Sequence, residues 1–289
     1  MKKVAALLFC IFVSFASYAE IYSVENVKEV KNMTKDIFEK RNPEKTLFIF
    51  PLENFIVRPT HPAMQIQEQS YSSLLTKAFS KANSSVASYA SVLMLLEYPN
   101  ELVDEELPDL IDYIQKNNSA VIVTTPNVTG GINKIDFLDV WTLNYLKSKN
   151  IDLAQGVFAN KQFIFDKEMK KINGTYPTFY KGLLSYNSDN TDNSSLQVLS
   201  AFLVLKLNKI PDVVVAVSPS RQYLEELDKQ LKVFREDNEF FGIVYNPPVL
   251  KTKYISPKDY LQFWQDFVKK LNQIKRKGVD LKLENPYDE

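Results

Sequence analysis

The sequence predicts an α/β domain built on a mostly parallel sheet, and three short runs carry that expectation. Residues 46–50, 120–124 and 213–217 are almost wholly apolar and are followed by Pro51, Pro126 and Pro219. A strand with one wet face alternates apolar and polar residues, whereas an uninterrupted run suits a strand covered on both faces, as parallel strands are. Helical patterns at 105–115, 141–149 and 196–207 fall between these runs. Strands alternating with helices build parallel sheets.

In chain order, Val24, Val27, Val30, Met33 and Ile37 recur at helical spacing, which predicts an amphipathic helix over 20–41. The stretch 60–115 is mainly helical in pattern and too long for a simple crossover, so it reads as an inserted helical subdomain. A helix is expected over 223–234 and a weaker strand over 242–245. Ser256 and Pro257 make an N-cap and first-turn pair. Leu261, Trp264, Val268 and Leu271 then share one face, and this last helix is expected to pack on the sheet. Lys275, Arg276 and Lys277 read as cations at its C-terminal end, where they offset the helix dipole. The acidic tail 284–289 is expected to fray. The expected organisation is a leader at 1–19, an α/β core at 20–59 and 116–289, and the helical insertion at 60–115.

The leader reads as a cleavable secretory signal. Lys2 and Lys3 precede an apolar stretch ending near Phe15, and Ser17 and Ala19 are the small residues a signal peptidase needs. The stretch is shorter than the ~20 residues of a spanning helix. Phe9 before Cys10 argues against lipid attachment. Cleavage after Ala19 would remove Cys10, the only cysteine, so the exported domain must hold itself by packing alone. Removing Lys2 and Lys3 from 35 basic and 35 acidic residues leaves a net charge of −2. No basic excess exists for nucleic acid. No later stretch is apolar enough for stable membrane insertion, so the chain is expected in the periplasm or outside the cell.

The end of the first run reads Leu47-Phe48-Ile49-Phe50-Pro51-Leu52-Glu53-Asn54-Phe55-Ile56, followed by Arg58-Pro59-Thr60-His61-Pro62. It resembles the haloacid dehalogenase-like (HAD) superfamily, whose signature there is an apolar strand followed by Asp-x-Asp-x-Thr-Leu. More narrowly, the chain is similar to a family of exported bacterial HAD-like proteins of unknown function. The likeness continues through Thr142 to Leu146, Asn150 to Leu153, Tyr180 to Leu184, Pro211 to Pro219 and Gly242 to Tyr245. It implies a doubly wound, Rossmannoid sheet with a helical cap and a phosphoryl-transfer site at the strand ends.

Most of the implied site residues are replaced. Pro51 stands where the superfamily has its nucleophilic aspartate and offers no nucleophile. Glu53 keeps a carboxylate at the general acid–base position, and Phe55 replaces the threonine. Thr124 or Thr125 matches the hydroxyl of the second signature, although two such residues before a proline also suit an ordinary turn. Asn193, Ser194 and Ser195 occupy the place of the phosphate-stabilising lysine; Ser194 or Ser195 makes an N-cap but carries no charge, and Lys181 comes too early in the chain. Ser218 and Pro219 fall where acidic residues would hold Mg²⁺, and neither is a carboxylate. The positions Pro51, Glu53, Phe55, Thr124, Thr125, Ser194, Ser218 and Pro219 thus read as a vestigial site, with no cofactor and no metal expected.

Other chemistry finds little support. His61, the single histidine, lies between Pro59 and Pro62 and reads as a turn or packing residue. Without a mature cysteine it argues against a structural zinc site. Glu97, Asp104, Glu105 and Glu106 read as a solvated helix start, and Gly130-Gly131 as a turn. The favoured expectation is a non-catalytic exported protein that uses a HAD-like fold as a scaffold for a protein or small-molecule partner. The alternatives are a hydrolase of non-standard mechanism using Glu53, and an unrelated exported α/β binding protein.

Overall fold

The computed structural model describes residues 20–65, 69–172, 174–187, 194–207, 210–247 and 254–277. The expected leader with Cys10 and the acidic tail lie outside the described residues. The strands are β1 (Glu20–Val24), β2 (Thr46–Pro51), β3 (Val57–Pro59), β4 (Asn100–Leu102), β5 (Ala120–Thr125), β6 (Gly131–Ile132), β7 (Gln162–Ile164), β8 (Thr178–Tyr180), β9 (Leu183–Ser185), β10 (Val213–Ser218), β11 (Glu239–Tyr245) and β12 (Arg276–Lys277). The helices are α1 (Val27–Lys40), α2 (Pro62–Gln65), α3 (Gln69–Phe79), α4 (Ala90–Glu97), α5 (Leu107–Lys116), α6 (Leu138–Ser148), α7 (Ser195–Ala201), α8 (Arg221–Phe234) and α9 (Pro257–Asn272).

Eight strands form one mixed, mostly parallel sheet in the order β1-β11-β10-β2-β5-β9-β8-β7. The first six in that order run parallel, and β8 and β7 close the far edge as an antiparallel meander. β2 shows why its sequence is continuously apolar. Phe48 and Phe50 pack on one face with α1 and α5, while Leu47 and Ile49 pack on the other with α7 and α8. Burial on both faces leaves no position for a polar residue.

Three expectations about the ends of the chain are corrected. Residues 20–24 are the edge strand β1, paired with β11, and the helix starts at Val27 behind the N-cap Asn26. The spacing of Val24, Val27 and Val30 runs across this boundary and reads as one helix. α9 packs on the inserted helices and not on the sheet: Tyr260, Trp264, Phe267 and Leu271 share a core with Tyr71, Ala78, Tyr89 and Val92. Helical periodicity shows that a face is apolar but not what covers it. Lys275 to Lys277 lie past the end of α9, where Arg276 and Lys277 pair antiparallel with β6; Lys269 and Lys270 occupy the last turn of the helix.

The insertion leaves and returns through a two-stranded ribbon, with Val57 opposite Leu102 and Pro59 opposite Asn100. α5 falls inside the expected 60–115 segment, yet its Leu107, Leu110, Ile111 and Ile114 pack with α1 against the sheet. α7 ends at Ala201 and passes into a π-turn through Lys206, where one continuous helix was expected. No helix among the described residues is long and apolar enough to cross a membrane.

Because α9 completes the core of the insertion, Phe267→Ala is expected to cost about 3–5 kcal/mol of local stability. In hydrogen exchange, amides of α3 and α4 should lose protection well before those of β2 and β10. Equal loss in both regions would show that the two cores are one cooperative unit.

Candidate functional site

The chain order of the strands singles out one end of the sheet. From β2 the chain moves to β5 and β9 on one side, then returns to β10 on the other. Ligands of open α/β sheets bind outside the carboxyl ends of strands at such a reversal. Here those ends are Pro51 on β2 and Ser218 on β10.

A tight turn shapes the end of β2. The Leu52 N–H donates to Thr124 O at 2.8 Å, and the Val57 N–H returns to Leu52 O at 2.9 Å. Asn54 takes a left-handed φ of 64°, which asparagine tolerates better than most residues. Leu52, Phe55 and Ile56 are buried beneath the turn. Phe55 stacks on Phe50 at 5.2 Å and meets the edge of Tyr245 at 5.0 Å. Phe55 is therefore part of the core on the α1/α5 face.

Among the described residues Glu53 is the one carboxylate at these strand ends. Its Oε1 accepts from Thr125 Oγ1 at 2.7 Å, and Thr125 is buried. Burial pushes the Glu53 carboxyl up to about 7, with the Thr125 hydrogen bond and one from the backbone opposing the rise. Among the described residues no basic side chain pairs with Glu53. The Thr125 hydroxyl also accepts from the Asn127 N–H at 3.2 Å. The Tyr186 N–H donates to Thr125 O at 3.0 Å, and the Tyr186 hydroxyl is pushed up by burial and by the Glu53 charge. Tyr223 lies beyond it, raised by burial and hydrogen-bonded to Ser195.

The positions singled out from sequence divide accordingly. Pro51, Glu53, Thr124 and Thr125 meet at adjacent ends of β2 and β5, where Pro51 pairs with Thr124. Ser218 ends the neighbouring β10 and accepts from the Ser220 N–H at 3.1 Å; Pro219 beside it is exposed. Ser194 caps α7 through a reciprocal pair with Gln197, so its hydroxyl is committed to the helix start. No group of three or more His, Cys, Asp or Glu among the described residues is arranged to hold a metal. Among the described residues Glu53 is the single carboxylate at these strand ends, which does not make a paired-carboxylate Mg²⁺ site.

Sequence reasoning missed Asn127, Asp139, Tyr186 and Asn187. Asp139 is buried and accepts from Thr178 Oγ1 at 3.0 Å, and Asn187 donates to Thr175 O at 3.0 Å. The pairing of β5 with β9 brings Tyr186 and Asn187 to this layer, and β9 is too short to announce itself in sequence. His61 lies elsewhere, stacked on Phe263 of α9 at 4.0 Å with Nδ1 accepting from the Ala63 N–H. Two surface concavities, of about 350 Å³ beside β1 and α1 and about 520 Å³ between α7 and α8, include none of the strand-end residues.

Comparison with known proteins gives a family. Residues 23–276 match the model of a protein family of unknown function, DUF2608. The chain belongs to the DUF2608 family. It is 28% identical over 256 residues to an uncharacterized protein of Rickettsia bellii (strain RML369-C), covering 86% of this chain and 85% of the other. A Rickettsia conorii (strain ATCC VR-613 / Malish 7) uncharacterized protein is 27% identical over 271 residues, covering 90% and 89%. No solved structure matches the chain.

The raised Glu53 pKa sets a pH dependence. The folded state binds this proton more tightly than the unfolded state, so its contribution is full below about 4.5 and is lost as pH rises toward about 7. Glu53→Gln should therefore gain stability relative to the natural chain between pH 5 and pH 8, by on the order of 2 kcal/mol after allowance for the side chain's partial exposure. Urea unfolding of both proteins at the two pH values measures it, and a difference independent of pH would contradict it.

Proposed function

We propose that this DUF2608 protein is an exported, HAD-like protein without phosphotransfer chemistry that works by binding a partner. The observation that carries this reading is Pro51 at the end of β2, the central strand at the reversal, where the superfamily's chemistry demands a carboxylate nucleophile. Three further features support it. The parallel order β11-β10-β2-β5-β9 is that of a doubly wound sheet. The helical insertion leaves just past β2 through the β3–β4 ribbon, the position of a cap. Among the described residues the strand ends offer no cation for a phosphoryl group and no carboxylate pair for Mg²⁺. Export rests on the leader, Lys2 to Ala19.

A second reading has one observation in its favour. A carboxyl near pKa 7, hydrogen-bonded to Thr125, is suited to general acid–base work on water. Among the described residues it lacks a charge to stabilise the transition state, so the binding reading is preferred. The strand order likewise favours a HAD-like frame over an unrelated α/β binding protein.

Residues 20–289, assayed with a generic aryl phosphate with and without Mg²⁺, are expected to give no turnover above a protein-free control. Turnover abolished by Glu53→Gln would replace the binding reading with a hydrolase working through Glu53.

A further inference from the structure

The basic run Lys275, Arg276 and Lys277 has no role at a helix end, because α9 stops at Asn272. Lys269 and Lys270 already occupy the last turn of that helix, where cations offset its dipole. The run continues instead into β12. Arg276 pairs with Ile132 and Lys277 with Gly131, which brings it beside the turn that carries Lys134.

Two asparagines join further chain to the same place. The Asn133 N–H donates to Lys275 O at 2.9 Å, and Asn133 Oδ1 accepts from the Lys275 N–H at 3.2 Å. Asn272 Nδ2 donates to Lys81 O at 3.0 Å, and its Oδ1 accepts from the Asn83 N–H at 2.8 Å. The chain after α3, the turn after β6 and the chain after α9 thus meet at one corner of the molecule.

Charge is segregated there. Segments 69–96, 126–135 and 271–277 contain Lys77, Lys81, Lys134, Lys275, Arg276 and Lys277 and no acidic residue, in a chain with 35 basic and 35 acidic residues. Lys77, Lys81, Lys134 and Lys275 are exposed, and none of these four forms an ion pair among the described residues. Of the acidic residues next along the chain, Glu97 and Asp266 pair with Lys270 and Lys269, and Asp136 stands two residues past Lys134. A chain balanced in total charge therefore presents a local positive field.

The surroundings of these charges select the kind of anion. The two surface concavities include none of the six residues, so the lysines stand on open surface and not in a groove shaped for a peptide. Among the described residues no exposed aromatic side chain falls within the three segments, so there is no platform on which nucleic-acid bases could stack. Five of the six are lysines, flexible point charges without the rigid fork that reads single phosphates. Clusters of about 4–8 such residues are sufficient to hold a protein at an anionic bilayer.

We propose that this corner docks the protein on an anionic lipid surface, through charge and without insertion. It is independent of the strand-end site and of any chemistry there.

The test is co-sedimentation of residues 20–289 with vesicles of phosphatidylcholine alone or mixed with phosphatidylglycerol. Binding to the mixed vesicles, none to phosphatidylcholine, and release by added salt are expected. The triple variant Lys81→Gln, Lys134→Gln, Lys275→Gln should bind at least tenfold more weakly. The control triple Lys40→Gln, Lys161→Gln, Lys229→Gln removes equal charge from exposed positions elsewhere and should bind as the natural chain does. All six positions are exposed, so both triples should keep the natural unfolding midpoint. No binding to mixed vesicles, equal weakening by the two triples, or binding that survives salt would each overturn the proposal. Vesicle binding that appears only after residues 280–289 are removed would assign the corner to the chain's own acidic tail. An oligonucleotide bound more tightly than the vesicles would assign it to nucleic acid. Either result would replace the lipid surface as the partner.

Discussion

Everything in this molecule is referred to β2, because it is buried on both faces. Its alternate side chains enter two separate cores, Phe48 and Phe50 on the α1/α5 side and Leu47 and Ile49 on the α7/α8 side. A strand so placed cannot slip by one residue without exchanging its partners in both cores at once. Its register against β5 and β10 is therefore fixed, and so are the heights at which Pro51, Thr124 and Ser218 end. The turn at Asn54, seated on buried Leu52, Phe55 and Ile56, then fixes Glu53 relative to that edge.

Among the described residues this rigid edge carries one carboxylate, Glu53. Pro51 ends the strand, and Phe55 adds to the core by stacking on Phe50. Glu53 remains, without a cation, held by one hydroxyl. An uncompensated carboxyl in such surroundings keeps its proton longer, and a protonated carboxyl is a hydrogen-bond donor. The geometry that holds this carboxyl is supplied by the paired ends of β2 and β5.

How far the sequence reveals this depends on burial. β2, β5 and β10 are legible because burial on two faces forces continuous apolar runs, and α8 and α9 because burial on one face forces helical spacing. β1 is not legible: at the sheet edge only Val24 of its five residues is buried, so it has no pattern of its own to set against that of α1. β7, β8 and β9 have three residues each, too few for periodicity. Among site residues, Glu53 and Thr125 follow from spacing after a recognisable strand. Asn127 and Asn187 do not, since an asparagine beside a proline or after a short strand looks like turn chemistry.

The contacts that close the fold are also its most distant in sequence. β1 pairs with β11, so that Glu20 lies opposite Phe241. The insertion, complete in sequence by Leu102, shares its core with Tyr260 to Leu271 of α9. Neither the first strand nor the insertion can bury its apolar surface until the last part of the chain has arrived. The entropy of closing such long loops must be met before those contacts form, and the same holds for β2, whose pairing with β10 joins Thr46 to Val213.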